Sequence, residues 1–380
     1  MRISLHIWLL AAVLLITVIY AVSRKRRVDK KRCIQAVTVI LTLFSGLRSW
    51  QMGDVYHYCY VFLECNSESW KLDFSSRDTI GMQLLYRAVG QMSWGFEVCL
   101  FLIAAFSAIS LGVFIFRYST SPYLSYLIYI CLGSYIFTLS ALKQTVAMAF
   151  LMWAMVAVIK SKPWRFLMLT GLATLFHLPA CIFLVAYFAA HKKIDWLYFA
   201  ELSVITGCIA FFRNEIVQLA ASLYYEGELA FDAAEGVGGK FVILLGILLL
   251  AIIIHPPRDS NPVYRYLFNM MVLATILQSF SVYDNVFTRL ADYYFQFFVV
   301  FVPLLLDSRV EITAASSGNA QSLRLGYCIP KELRIIATLL ISVMAVVIYV
   351  ETLNAGTALL SEFRFIWEAD AVGASNMLGG

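Results

Sequence analysis

The stretch that decides the fold is residues 98–116, which read VCLFLIAAFSAISLGVFIF. It contains no charged residue, and about 20 apolar residues are enough to cross the hydrocarbon core of a bilayer as an α-helix. The whole chain has this character, since 61% of its 380 residues are hydrophobic and 14% are charged. A soluble domain carries roughly a quarter charged residues. We therefore predict that lipid covers much of the exterior of this protein.

Similar apolar segments occur along the whole sequence. They predict an all-α, polytopic transmembrane helix bundle of about ten to twelve spans, forming a single integral membrane domain over residues 1–380. The candidate spans are residues 5–22, 33–47, 97–116, 122–139, 142–159, 166–190, 196–212, 240–254, 264–282, 289–306 and 334–352.

Basic residues set the predicted orientation, because cytoplasmic loops carry an excess of Lys and Arg. A basic cluster, residues 24–27, follows the first apolar segment and predicts an anchor whose C-terminal end lies in the cytoplasm. Counting onward predicts outer loops at 48–96 and 213–239 and a cytoplasmic loop at 307–333. The net charge of +5 belongs to such loops, and no basic stripe predicts nucleic-acid binding.

The apolar stretch 166–190 is predicted to enter and leave the membrane on the same side. One full crossing here would place the acidic segment 213–239 in the cytoplasm and basic loops outside, against the positive-inside rule. Pro179 lacks an amide hydrogen and disfavours helix at the residue before it. We therefore predict a broken, re-entrant helix pair with His177 near its tip.

Several polar and ionisable residues are predicted at the outer ends of helices, on one face of the membrane. Ionisable groups inside a membrane usually face a cavity or pair with each other. Cations around one outward-facing cavity predict an anionic ligand, with phosphate as the first class to consider. The residues are Arg48, Asp54, Lys143, Gln144, His177, Arg289 and Asp292.

Each of these residues also has a simpler interpretation. The cations fit the role of side chains that extend to the lipid headgroups. His177 fits that of a neutral, helix-breaking cap, and Asp54 and Asp292 fit that of structural partners for Arg48 and Arg289. The sequence contains no GxSxG, Walker-type loop, HExxH or closely spaced metal ligands, so it implies neither a cofactor nor a metal.

Four short motifs follow one another between residues 44 and 295. They are FSGLR (44–48) with GDVY (53–56) and Tyr60, LKQTVA (142–147), FHLPA (176–180) and FTRLADYYF (287–295). In type and order they resemble the motifs of the EpsG/Wzy-type O-antigen (surface polysaccharide) polymerase family. The departure is Lys143, where that family usually has Arg, because lysine keeps the charge but loses the bidentate fork.

The resemblance implies a metal-independent membrane glycosyltransferase of polysaccharide, including lipopolysaccharide, biosynthesis. Such an enzyme joins oligosaccharide repeat units carried on undecaprenyl pyrophosphate into O-antigen or a related polysaccharide. The expected location is the periplasmic face of a bacterial inner membrane, which the chain crosses many times. The lipid-linked oligosaccharide and the bilayer are the expected partners, beside a chain-length regulator and a flippase.

The chemistry implied by the resemblance gives each residue a role. Arg48 and Arg289 are expected to hold the pyrophosphate, with Lys143 assisting. The catalytic candidates are Asp54 or His177, as the acceptor of the proton from the attacking hydroxyl. The further expected contacts to pyrophosphate or sugar are Gln144, Tyr56 and Tyr293.

Two other classes of protein remain open from the sequence. A transporter or flippase of lipid-linked sugars would move the same ligand without chemistry, and such proteins commonly show inverted repeats with paired broken helices. A membrane O-acyltransferase would use His177 as a base, but the other histidines lie at or outside predicted helix ends.

Overall fold

The structure is a computed structural model of the chain. It describes residues 3–23, 27–51, 55–74, 79–212, 214–216, 218, 238–254, 262–283, 285–307, 330–355 and 363–368. Within these ranges the regular structure is helical, and the β contact is an isolated antiparallel bridge between Arg48 and Phe365. The predicted all-α fold class is confirmed.

The chain forms two compact units, Met1–Cys181 with Ile335–Gly380, and Ile182–Arg334. The first unit contains α1 Ile3–Ser23, α2 Arg27–Gly46, α3 Val55–Cys65, α4 Ile80–Gln91, α5 Phe96–Tyr118, α6 Pro122–Cys131, α7 Ser134–Ser140, α8 Leu142–Ile159, α9 Pro163–Phe176 and most of α16 Lys331–Asn354. The second contains α10 Val185–His191, α11 Trp196–Phe211, α12 Gly239–Ile254, α13 Pro262–Gln278, α14 Asn285–Phe295 and α15 Phe298–Leu305. The single integral membrane domain over residues 1–380 therefore stays a prediction.

Several helices have the length and the apolar surface of membrane spans. Among the described residues, three helical segments are long and apolar enough to cross a bilayer, namely α5, α8 and Glu332–Asn354. The bent pair α6–α7 would be a fourth. Large apolar side chains on α16 are exposed, with Leu340 at 65%, which lipid solvates and water does not. The polytopic membrane bundle is confirmed, whereas its count of ten to twelve spans stays a prediction.

The predicted break at His177 is confirmed. α9 ends at Phe176, His177 adopts an extended backbone (φ −152°, ψ 107°), and a 3-10 helix, Leu178–Leu184, follows before α10. The apolar helical segment Leu178–His191 is shorter than a full span needs. The re-entrant path of this segment stays a prediction.

A second break divides the predicted span 122–139. α6 and α7 differ in direction by 53°. Gly133 between them has φ +87°, a left-handed conformation that costs glycine little and other residues more. The apolar pattern runs through this position without a proline, so hydropathy predicts one continuous span here. The bend matters for the site because α7 carries Tyr135, which lines one cavity with Ser45, the hydrogen-bond acceptor of Arg48.

The predicted outer loop 48–96 contains two helices, α3 and α4. The buried residues of α3 include Val55, Cys59 and Phe62, at the spacing of one helix face. The other predicted loops, 213–239 and 307–333, lie mostly outside the described residues.

Candidate functional site

Arg48 is a buried cation at the end of α2. Its residue surface is 1% exposed, and its Nη1 donates a hydrogen bond to the carbonyl oxygen of Ser45 in the last turn of the helix. This contact is favourable, since a cation complements the negative end of a helix dipole. Nε and Nη2 are also buried, and among the described residues neither has a hydrogen-bond partner.

The environment of Arg48 opposes its charge without removing it. Loss of contact with water lowers the pKa of the Arg48 guanidinium to about 10, which still leaves it a cation at neutral pH. Each buried donor without an acceptor costs about 1–3 kcal/mol, and more when it is charged. An anionic ligand would supply both the missing acceptors and the missing counter-charge. The arrangement is therefore suited to binding an anion.

A small cavity lies next to this arginine and is lined largely by hydroxyl groups. Its lining residues are Leu41, Ser45, Ala104, Ser107, Ala108, Tyr129, Tyr135, Thr138 and Thr145. Thr145 is 1% exposed, and its Oγ1 has no hydrogen-bond partner among the described residues. Because Thr145 follows Gln144 in the first turns of α8, the cavity links the end of α2 to the start of α8.

The start of α8 places Lys143 and Gln144 in different environments. Lys143 is half-buried, and its Nζ lies 5.6 Å from the centre of the Tyr58 ring on α3, within cation–π range. Gln144 is 2% exposed. The preceding Leu142 belongs to the same apolar cluster as Trp50. The Lys143 motif is therefore packed against the segment that follows Arg48.

His177 lies next to the same apolar cluster, because the preceding residue, Phe176, packs against it. The Phe176 carbonyl oxygen accepts a hydrogen bond of 2.6 Å from the hydroxyl of Thr79, directly before α4. The Phe176 ring stacks on Phe150 at 5.6 Å between centroids and packs on the apolar cluster of Trp50 and Leu142. His177 itself is half-buried. The structure thus brings the neighbours of Arg48, Lys143 and His177 into one cluster.

The close approach of α4 to the end of α9 leads to a stability prediction. A Cβ on Gly81 would lie 2.8 Å from the carbonyl oxygen of Leu175, a backbone atom that cannot move aside alone. We expect Gly81→Ala to lower the free energy of unfolding by about 1–3 kcal/mol, as overpacking does elsewhere. Thermal unfolding in detergent measures this. Gly171→Ala is the control, since a Cβ there meets nothing within 4 Å; equal effects would contradict the prediction.

Two predicted site residues of the first unit remain, Tyr56 and Asp54, and only Tyr56 lies within the described residues. Tyr56 is 51% exposed on α3, and its ring centroid lies 5.8 Å from that of Trp50. This places an accessible aromatic face beside Trp50, which follows Arg48 closely in the chain. Asp54, predicted as a catalytic residue, lies outside the described residues.

The second unit holds Arg289 and Tyr293 on α14. Arg289 is exposed, whereas Tyr293 is fully buried. Asp292 on the same helix forms an ion pair with Lys240 on α12. Lys240 also lies 4.7 Å from the centre of the Phe295 ring. The convergence of Arg289 with Arg48 on one cavity stays a prediction.

Two polar contacts near Arg289 were not predicted from the sequence. One is the Lys240–Asp292 ion pair, and the other is a hydrogen bond of 3.2 Å from the Gln278 amide to the Thr288 hydroxyl. The signal for Lys240 is its place as a charge at the start of an otherwise apolar segment. Its pairing with Asp292 joins residues 52 positions apart, which no local pattern shows.

These features define a polytopic membrane protein with a buried cation next to a hydroxyl-lined cavity. Residues 31–313 match the EpsG family, and the chain belongs to this family of Wzy-like polysaccharide polymerases. The match contains all four sequence motifs, whereas α1 and the segment 363–368 lie outside it. No curated protein and no solved structure matched the chain.

Proposed function

We propose that this chain joins oligosaccharide repeat units carried on undecaprenyl pyrophosphate into O-antigen or a related surface polysaccharide, at the periplasmic face of a bacterial inner membrane. The observation that carries the proposal is Arg48, a buried cation with two nitrogens that lack acceptors among the described residues. Family membership supports polysaccharide polymerisation in general.

The proposed reaction transfers the growing chain from its lipid pyrophosphate to a new repeat unit. A hydroxyl of the acceptor sugar attacks the anomeric carbon of the donor, and the bond from that carbon to the pyrophosphate oxygen breaks. The leaving group gains negative charge as this happens. Cations held in place before the reaction stabilise that charge at little cost of reorganisation, and Arg48 fits this role.

The proton of the acceptor hydroxyl passes to a base in the proposed mechanism. His177 and Asp54 are the candidates, and imidazole is a suitable base near neutral pH. Lys143 and Arg289 add positive charge for the pyrophosphate, and Gln144, Tyr56 and Tyr293 are proposed contacts to the substrate. A flippase that delivers the repeat unit and a chain-length regulator are the proposed partners.

A transporter of lipid-linked sugars is the second candidate, favoured by one observation. Transporters commonly pair broken helices around their substrate, and this chain has two broken apolar segments, at Gly133 and at His177. The transporter would use the same cations to hold the same pyrophosphate, so the reaction product must distinguish the two.

Deletion of the gene tests the proposed function. We expect the ladder of surface polysaccharide to disappear and to leave a lipid core capped by one repeat unit, with restoration by the wild-type gene. Loss of the single capped unit as well would favour the transporter, and an unchanged ladder would contradict polymerisation of that polysaccharide.

Complementation of the deletion with Arg289→Ala gives a graded result. Because Arg289 is exposed and its charge is screened, we expect a rate of chain extension about tenfold lower, corresponding to about 1.4 kcal/mol. The measurement is the distribution of chain lengths at equal protein levels. Full activity of this variant would remove Arg289 from the proposed pyrophosphate site.

A further inference from the structure

The C-terminal segment 363–368, called the strap below, pairs with the backbone on both sides of Arg48. The amide of Ser49 donates to the carbonyl oxygen of Arg364 at 2.7 Å, and the amide of Ile366 donates to that of Leu47 at 2.9 Å. Arg48 and Phe365 lie directly opposite each other between these two bonds. In an antiparallel bridge, such a pair brings its two side chains close together.

Aromatic rings anchor the strap to α1 and α2. Phe363 is fully buried, its ring stacks on Phe44 at 5.0 Å and meets His6 edge-on at 4.8 Å. Phe44 lies in the last turn of α2, four residues before Arg48, and its ring centroid is 5.4 Å from that of Phe365. The anchor therefore uses α1 and the strap, two elements that lie outside the family match.

We propose that the strap is a positioning element that keeps Arg48 out of water and aimed at its anionic ligand. An arginine with a single internal hydrogen bond has many rotamers, and a loop after a helix end has little to hold it. The two backbone bonds fix the main chain at Leu47 and Ser49, and the Phe363 anchor fixes the strap itself. The positioning residues are Ile366 and Phe363, whereas Arg48 makes the contact. This inference rests on the proposed function only where it concerns polymerisation.

The test removes one hydrogen bond between the strap and the Arg48 segment. Ile366→Pro deletes the amide that donates to Leu47, at the first position of a short 3-10 helix, where the ring of proline is tolerated. Glu368→Ala is the matched control, because it removes a hydrogen bond inside the strap, from the Phe365 amide to the Glu368 carboxylate. Phe363→Ala removes the anchor by a different route and serves as the second variant.

The readout is the rate at which phenylglyoxal modifies Arg48 in the purified full chain, measured by mass spectrometry relative to the exposed Arg165. We expect Arg48 to be modified about fivefold faster in Ile366→Pro and in Phe363→Ala. The reason is that the loss of one stabilising contact shifts the local opening equilibrium toward the open state, in which the reagent reaches Arg48. Glu368→Ala should match the wild type. A purely global loss of stability would instead lower the unfolding temperature and speed the modification of other partly buried arginines as well.

Each outcome decides one of the two proposals. Unchanged modification of Arg48 in both strap variants would overturn the strap as a positioning element, whatever the chain polymerises. Faster modification together with a shortened polysaccharide ladder would support it. Faster modification with a normal ladder would overturn its role in polymerisation and count against Arg48 in the proposed function. An unchanged ladder after gene deletion concerns the proposed function alone.

Discussion

Replacing Arg48 with alanine is expected to lower the rate of chain extension by about 10²–10³-fold, the usual loss when one preorganised donor to a developing anion is removed. The effect should be large because Arg48 is 1% exposed, and water that fills the space left by its side chain would carry no positive charge. The measurement is conversion of lipid-linked repeat units into polymer by the purified protein. Arg48→Lys should retain part of the activity, since the ammonium keeps the charge but loses the fork.

The stability of the same variants separates a functional arginine from a structural one. Two of the Arg48 nitrogens are buried without partners among the described residues. In the absence of a ligand, this side chain therefore lowers the free energy of unfolding of the protein. We expect Arg48→Met to leave the unfolding temperature unchanged or to raise it, while activity is lost, as at other sites where function opposes stability. A large fall in the unfolding temperature would show that Arg48 is a structural residue, and retained activity would contradict its proposed role.

The spans and the first break could be predicted because each has a local cause. Apolar length predicts α5 and α8, and Pro179 with the loop charges predicts the break at His177. The break at Gly133 escapes such reasoning, because glycine is common in membrane helices and only the positive φ distinguishes this one. α3 and α4 are too short for a hydropathy window set to the thickness of a bilayer.

The charged residues of the candidate site can be found in the sequence, whereas the segments and partners that hold them in place cannot. Arg48 and Lys143 stand out because ionisable residues at span ends are costly. The strap could not be predicted, since Phe363 and Arg48 are separated by more than 300 residues and the contacts are mostly backbone bonds and apolar rings. Lys240 became visible as the partner of Asp292 only through the packing of α12 with α14.

The ion pair between Lys240 and Asp292 leads to the second large effect, on stability. The two side chains are 25% and 11% exposed. Removing one partner of a buried pair leaves an uncompensated charge, at a cost of about 3–5 kcal/mol. We therefore expect Asp292→Ala to lower the free energy of unfolding by an amount in the lower part of that range, because Lys240 is partly exposed.

Two comparisons make the ion-pair prediction decisive in thermal unfolding of the detergent-solubilised chain. The double variant Lys240→Met with Asp292→Leu should recover most of the loss, because it removes both charges and keeps apolar volume. Glu201→Ala breaks the exposed pair with Lys192, whose side chains are 50% and 48% exposed, and should change stability by less than about 1 kcal/mol. If Asp292→Ala costs no more than Glu201→Ala, water reaches Lys240, and this part of α12 is not inside the apolar core of the bundle.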